Sequence, residues 1–176
     1  MAPVVLSSVN EYLTTVYEPD CAYIDGEIVD RNWGEADHAG LQGLLVAWFA
    51  SRRREFGIHV FPEMRVQVSP TRFRVPNITV TTRKIRGRIL TEPPFLCIEI
   101  LSPEDRASRL EDKIDDYLKF GVPHIWVLEP RTKRAWSYTA GGKREATTLL
   151  ATASDPRIEV PIADLFRDLD EEVELP

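Results

Sequence analysis

Apolar side chains fall at helical spacing in two long stretches and crowd into strand-like runs between and after them. From about Asp37 to Phe56, Leu41, Leu44, Leu45, Trp48 and Phe49 recur every three or four residues, the spacing of a helix with one face in a core. Gly57 is placed to end that helix. The capping-box pattern Ser108-Arg109-Leu110-Glu111 predicts a second helix ending at Gly121, with Leu110, Ile114, Tyr117 and Leu118 as its apolar stripe. A shorter helix opens on Ser8-Val9-Asn10-Glu11 and runs to about Tyr17.

The other runs predict strands. Tyr23-Ile24 and Glu27-Ile28-Val29 flank Asp25-Gly26, a pair that supplies the positive φ of a tight hairpin turn. Ile58 to Val68 and Phe73 to Thr82 read as two strands around the turn Ser69-Pro70-Thr71. Phe95 to Leu101 is nearly all apolar and predicts a central strand. His124 to Leu128 and Arg134 to Tyr138 predict two further strands joined at Pro130 and Arg131, with edge strands at Thr147 to Leu150 and Arg157 to Val160. The acidic stretch Asp168 to Glu174 is expected to fray. Helices framing a mixed sheet predict a single α/β (mixed α+β) domain.

Composition narrows the function. The chain has 176 residues, with 28 acidic against 22 basic side chains, for a net charge of −6. That length suits one domain with its own core, and 43% hydrophobic with 28% charged residues is ordinary for a soluble protein. The longest apolar run, Leu44 to Ala50, falls far short of the roughly 20 residues of a membrane span. No basic-then-apolar start is visible, Cys21 and Cys97 form no CxxC pair, and the histidines build no zinc pattern. A reducing cytoplasmic setting without a membrane partner is expected. The acidic balance speaks against non-specific coating of nucleic acid, while leaving room for a local basic groove or an acidic metal site.

Three polar residues do not suit their surroundings. Glu99 lies inside Phe95-Leu-Cys-Ile-Glu-Ile-Leu101, where an ionised carboxylate is costly unless it is paired or holds a metal. Strand periodicity puts it on one face with Cys97 and Leu101, and Ile98 and Ile100 on the other. A strand end at which Glu99 meets water or an arginine is the alternative. Asn77 follows Pro76, which removes a ladder donor and marks a strand start, bulge or edge; local backbone pairing would also explain it. Lys113 lies beside the apolar stripe of its helix, one turn before Tyr117. Its stem can lie on the core with the amine in water, or the amine can lean over the end of the Glu99 strand.

These residues lie in segments that together resemble the Uma2 family, also called DUF820: Tyr23-Ile-Asp-Gly-Glu27, Val75-Pro-Asn77, Cys97-Ile-Glu-Ile-Leu-Ser-Pro103, Lys113 to Tyr117, and Gly121-Val-Pro-His-Ile-Trp126. The resemblance runs from about residue 8 to 166, leaving 167–176 as an acidic tail. It implies the restriction-endonuclease-like fold of the PD-(D/E)xK nucleases, a central mixed sheet flanked by helices. It also implies metal-dependent endonuclease chemistry on nucleic acid, DNA first, with Mg2+ or Mn2+ as cofactor. By the same resemblance Asn77, Glu99 and the backbone carbonyl of Ile100 would hold the metal, hard oxygen donors of the kind magnesium prefers. Asn77, Glu99 and Lys113 form the implied catalytic set, with Lys113 assisting the attacking water. Two positions depart from the family pattern. Asn77 stands where an aspartate is usual, and Ala22 where a glutamate commonly precedes the Ile-Asp-Gly turn, with Glu27 a partial substitute at best.

Other features have plain alternatives. Arg83-Lys84-Ile85-Arg86-Gly87-Arg88 would contact a phosphate backbone if it borders the site, or form a solvated loop. Ser51-Arg52-Arg53-Arg54 suits the negative end of a helix dipole. His38 matches a family histidine, with capping or packing as its default role. Trp126 and Trp136 read as core, and Trp33 as a loop residue. The competing functions are a catalytically degenerate nuclease fold that binds nucleic acid or a protein partner, and a dimerisation module, so a homodimer is among the expected assemblies.

Overall fold

The computed structural model describes residues 7–18, 20–29, 36–103 and 107–173. Its organising element is a six-stranded sheet in the order β10-β9-β8-β7-β6-β3. In chain order these are β3 (His59–Pro62), β6 (Ile78–Thr81), β7 (Leu96–Ile100), β8 (His124–Glu129), β9 (Arg134–Thr139) and β10 (Gly142–Ala146). Only β7 and β8 run parallel; the other neighbours in this sheet are antiparallel. A four-stranded sheet, β2-β1-β5-β4, is built from β1 (Ala22–Ile24), β2 (Glu27–Val29), β4 (Val66–Ser69) and β5 (Arg72–Arg74). The short strands β11 (Leu149–Ala151) and β12 (Glu159–Pro161) pair with each other.

The helices explain why β7 is apolar on both faces. On one side α2 (Ala36–Ser51) and α5 (Ile162–Glu172) bring Leu41, Leu45, Phe49, Phe166 and Leu169 onto Ile78, Ile98, Ile100 and Trp126. On the other, α4 (Ala107–Phe120) lays Ile114 and Tyr117 over Cys97, Ile125 and Val127. A strand covered twice cannot alternate apolar with polar residues. The connection from β7 through α4 to β8 is a parallel crossover, so α4 starts near the end of β7 and runs back along it. Residues in its second turn therefore lie over the β7 terminus. The short helix α1 (Val9–Thr14) completes a third cluster in which Tyr12, Tyr23 and Phe73 pack together.

The Ser8 capping box forms with both of its reciprocal hydrogen bonds, and Gly57 ends its helical region at φ 63°. Other expectations need correction. The helix from Asp37 to Phe56 is interrupted at Arg52, leaving α3 (Arg53–Phe56) as a separate turn. Ser108 lies inside α4, which begins at Ala107, so it does not cap that helix. The two long strands expected at 58–68 and 73–82 each divide in two. Pro62, with Glu63 at φ 53°, ends β3, and Pro76 separates β5 from β6. The β4–β5 hairpin thus leaves the large sheet for the small one, because prolines cannot donate to a continuing ladder. The 142–146 strand was not expected. Residues 168–172 do not fray: Leu165, Phe166 and Leu169 sit at helical spacing and bury against α2 despite the acidic outer face. At Gly40 of α2 an added Cβ would come within 3.1 Å of Leu169 Cδ1, so the helices approach closely there. Trp33 lies outside the described residues.

His124 opens β8, buried against the Phe95 ring, with its Nε2 2.7 Å from Ser154 Oγ. Burial pushes its imidazole below the ordinary 6.5. The unfolded chain therefore takes up a proton near pH 6.5 that the folded chain resists, and stability is lost as pH falls below that value. Urea midpoints measured between roughly pH 7 and pH 5.5 should fall in the wild type and fall less in His124→Asn. Equal slopes in the two proteins would exclude His124 as the source.

Candidate active site

The ladder between β6 and β7 brings the first two polar residues together. Ile78 pairs with Ile98, so one step further along the antiparallel register Asn77 stands beside Glu99. Asn77 Oδ1 accepts the backbone N–H of Ile100 at 2.8 Å, satisfying a donor at the end of β7. With its oxygen so engaged, Nδ2 is the donor toward His38 Nε2 at 3.1 Å, which assigns the His38 proton to Nδ1. Gln42, one turn further along α2, donates to the Asn77 backbone carbonyl at 3.0 Å. From α2, a histidine thus meets the Asn77 side-chain amide and a glutamine its backbone carbonyl.

Glu99 points to the opposite side, under α4, and is only 2% exposed. Lys113 and Tyr117, four residues apart on one helix face, both reach it. Lys113 Nζ donates to Glu99 Oε2 at 2.9 Å and the Tyr117 hydroxyl to Oε1 at 2.6 Å. Burial, with the Glu99 charge beside it, pushes the Tyr117 hydroxyl well above its usual range and keeps it a donor. The same two influences hold the Cys97 thiol protonated.

The pair opens on a cavity of about 280 Å³ bounded by α4, the start of α2, the end of β7 and the small sheet. Arg72 and Arg74 of β5 line it opposite Lys113, with Arg109 at the rim. Asp116 of α4 binds both β5 arginines: Oδ1 accepts from Arg72 Nη1 at 2.7 Å, and Oδ2 from Arg74 Nε at 2.7 Å. Ala22 and the exposed Glu27 also border the cavity. The fold brings Asn77, Glu99, Ile100 and Lys113 to this one place.

Arg72, Arg74, Asp116, Tyr117 and Gln42 belong to the site as well, and the sequence reading passed over them. Arg-Phe-Arg before Val-Pro was a usable signal, since alternation around a buried Phe73 puts both arginines on one face. The basic stretch 83–88 does not line this cavity. Its residues 83–86 border a separate groove with Pro93, Pro94 and Phe95, toward the start of β7. Arg52 stacks on Trp48 with its guanidinium carbon 4.3 Å from the ring centroid, a structural role. Trp126 is core, and Trp136 is partly buried beneath Arg134 and Lys143.

The donor set does not fit a resident divalent metal. Magnesium sites rely on hard anionic oxygens, and Glu99 beside Asn77 already faces an ammonium and a phenol, while Glu27 and Asp112 border the cavity as exposed side chains. Asn77 presents an N–H group toward His38 where an aspartate would present a second oxygen. Among the described residues no three His, Cys, Asp or Glu side chains converge to hold a metal ion. None of the described helices is long and apolar enough to cross a membrane.

Comparison with solved structures finds a crystal structure described as a "putative nuclease belonging to DUF820" from Anabaena variabilis, superposing with a TM-score of 0.81 at 24% identity over 93% of this chain and 99% of that one. At that identity the likeness establishes the fold, a mixed sheet flanked by helices in a single domain. No curated protein matches. Residues 9–169 match the family described as "Uma2: Putative restriction endonuclease", and over that span the chain belongs to the Uma2 family.

Proposed function

We propose that this chain engages the phosphodiester backbone of nucleic acid at the Asn77–Glu99–Lys113 cavity, as a member of a nuclease family whose hydrolytic centre here lacks a metal-binding carboxylate. The observation that carries the reading is the state of Asn77. Its oxygen is taken by the Ile100 N–H and its nitrogen faces His38, while Lys113 supplies to Glu99 the positive charge that a cation would otherwise supply. What remains is a cavity in which Arg72, Arg74, Arg109 and Lys113 stand against Glu27, Glu99 and Asp112, with the arginines offering forked donors to an anionic backbone. Membership of the family supports nucleic acid as the anion.

A second reading is favoured by the retained Glu99–Lys113 pair: a metal-dependent endonuclease in which Asn77, Glu99 and the Ile100 carbonyl take up Mg2+ or Mn2+ and Lys113 assists the water. One experiment separates the two. The purified chain is incubated with plasmid and single-stranded DNA in the presence of either ion, and binding is followed in parallel in EDTA. The expected result is binding that weakens as salt rises, without cleavage. Cleavage by the wild type above that of Glu99→Gln would overturn this in favour of the second reading. Absence of binding at low salt would remove nucleic acid as the ligand and leave a structural or dimerisation role.

A further inference from the structure

We propose that Arg72 and Arg74, held by Asp116, form a phosphate clamp in the wall of this cavity, and that the clamp takes one phosphodiester of a single-stranded nucleic acid. The inference rests on the nucleic-acid reading above and names its contacts and its substrate class. Arg72 and Arg74 flank the buried Phe73, so strand alternation turns both guanidiniums to the face opposite that ring, toward α4. Asp116 lies in α4 one turn beyond Lys113 and meets both: Arg72 Nη1 at 2.7 Å, and Arg74 Nε at 2.7 Å and Nη2 at 2.6 Å. Asp25 takes Arg72 Nε at 2.8 Å.

In charge the cluster balances, two arginines against Asp116 and Asp25, so what it offers the cavity is open donors on a fixed frame: the Asp116 and Arg74 side chains are 7% and 8% exposed, and Arg72 stands at the cavity edge. Each guanidinium carries five N–H donors in a fixed fork. The two carboxylates leave Arg72 Nη2 and Arg74 Nη1 without a protein partner among the described residues. The buried side-chain atoms that do lack partners there are Thr79 Oγ1 and Trp126 Nε1, so the open Arg74 nitrogen meets solvent instead of being sealed in protein. Both guanidiniums line the cavity, and forked donors held rigid at its wall suit two oxygens of a phosphate. Lys113 closes the same cavity from α4. A space of about 280 Å³ lies near the lower end of small-ligand pockets, admitting one nucleotide of a flexible strand in preference to a rigid duplex.

The test uses the full chain in EDTA, with a labelled single-stranded oligonucleotide followed by fluorescence anisotropy. The same-sequence duplex and inorganic phosphate serve as competitors. Arg72→Gln is the first variant because Arg72 is the more exposed of the pair; Arg74→Gln and Arg72→Lys follow, each with a melting curve to show that it folds. Arg72→Gln should bind about tenfold more weakly. The slope of log affinity against log salt should be shallower by about one. Arg72→Lys, which keeps the charge without the fork, should fall between the two. Inorganic phosphate should displace the strand from the wild type, and the duplex should compete poorly. Unchanged affinity and salt slope in both folded glutamine variants would overturn the clamp, and duplex binding as tight as the single strand would overturn the substrate class. A wild type that binds no strand defeats the nucleic-acid reading itself. Phosphate binding that Arg72→Gln then abolishes would still support the clamp.

Discussion

Lys113→Met should lower the free energy of unfolding by about 3–5 kcal/mol, the range seen when one partner of a buried ion pair is removed. The reason lies in where Glu99 sits. Its side chain is 3% exposed in the middle of the sheet, with the Lys113 ammonium at 2.9 Å and the Tyr117 hydroxyl on its other oxygen. Methionine keeps an unbranched apolar side chain of similar length on α4 and removes the charge, so the loss measures an anion left with a single donor. The double change Lys113→Met with Glu99→Gln should regain at least half of it, because a buried amide needs hydrogen bonds but no counterion. Urea unfolding of the four proteins provides the cycle. A loss below about 1 kcal/mol in the single variant would mean that water reaches Glu99 and that the pair behaves as a surface pair.

Asn77→Asp should convert the site to one that binds a divalent cation. The wild-type melting midpoint is expected to be the same in EDTA and in Mn2+. The variant, with a second carboxylate placed beside Glu99, should lose about 1–3 kcal/mol in EDTA. It should then regain stability as metal is added, by about 2.7 kcal/mol when free metal reaches a hundred times its dissociation constant. His38 must change with it, since an acceptor matched to the Asn77 N–H has to become a donor to a carboxylate oxygen. Titration calorimetry with Mn2+ checks the affinity directly. Equal stabilisation of wild type and variant by Mn2+ would show that Asn77 does not bar the metal, and would return the site to the endonuclease reading.

Glu99 was legible as a misfit because a charged residue in a run of apolar neighbours is a local anomaly, visible without knowing what surrounds it. Lys113 was legible as a residue beside an apolar stripe, with two open roles. The site's other parts were hidden for a different reason. Tyr117 looks like core, since its ring is core and only its hydroxyl serves Glu99. Arg72, Arg74 and Asp116 are ordinary charged residues until β5 and α4 are placed side by side, 42 residues apart at the Arg74–Asp116 contact. The basic stretch 83–88 was open between a contact with the site and a solvated loop. Its charge was plain, but its position relative to β7 depended on which end of the strand the loop meets.

The same division runs through the fold. Local periodicity, the Ser8 capping box, the Asp25-Gly26 turn and the doubly buried β7 run were enough to establish the class, because each depends on neighbours within a few residues. The tail could not be read that way: its charges favour fraying in isolation, and only packing of Leu165, Phe166 and Leu169 on α2 makes 162–172 a helix. Likewise the split of the 58–68 and 73–82 segments between two sheets follows from partners far away in sequence. By itself the sequence determined the class, the misplaced Glu99 and an asparagine after Pro76 where the family resemblance leads one to expect an aspartate. The tertiary structure decided that Asn77 is held by His38 and the end of β7, that Lys113 pairs with Glu99, and that two arginines line the same cavity. Those are properties of distance between elements, and the free energy of a charge in a protein depends on what lies within a few ångströms of it in space.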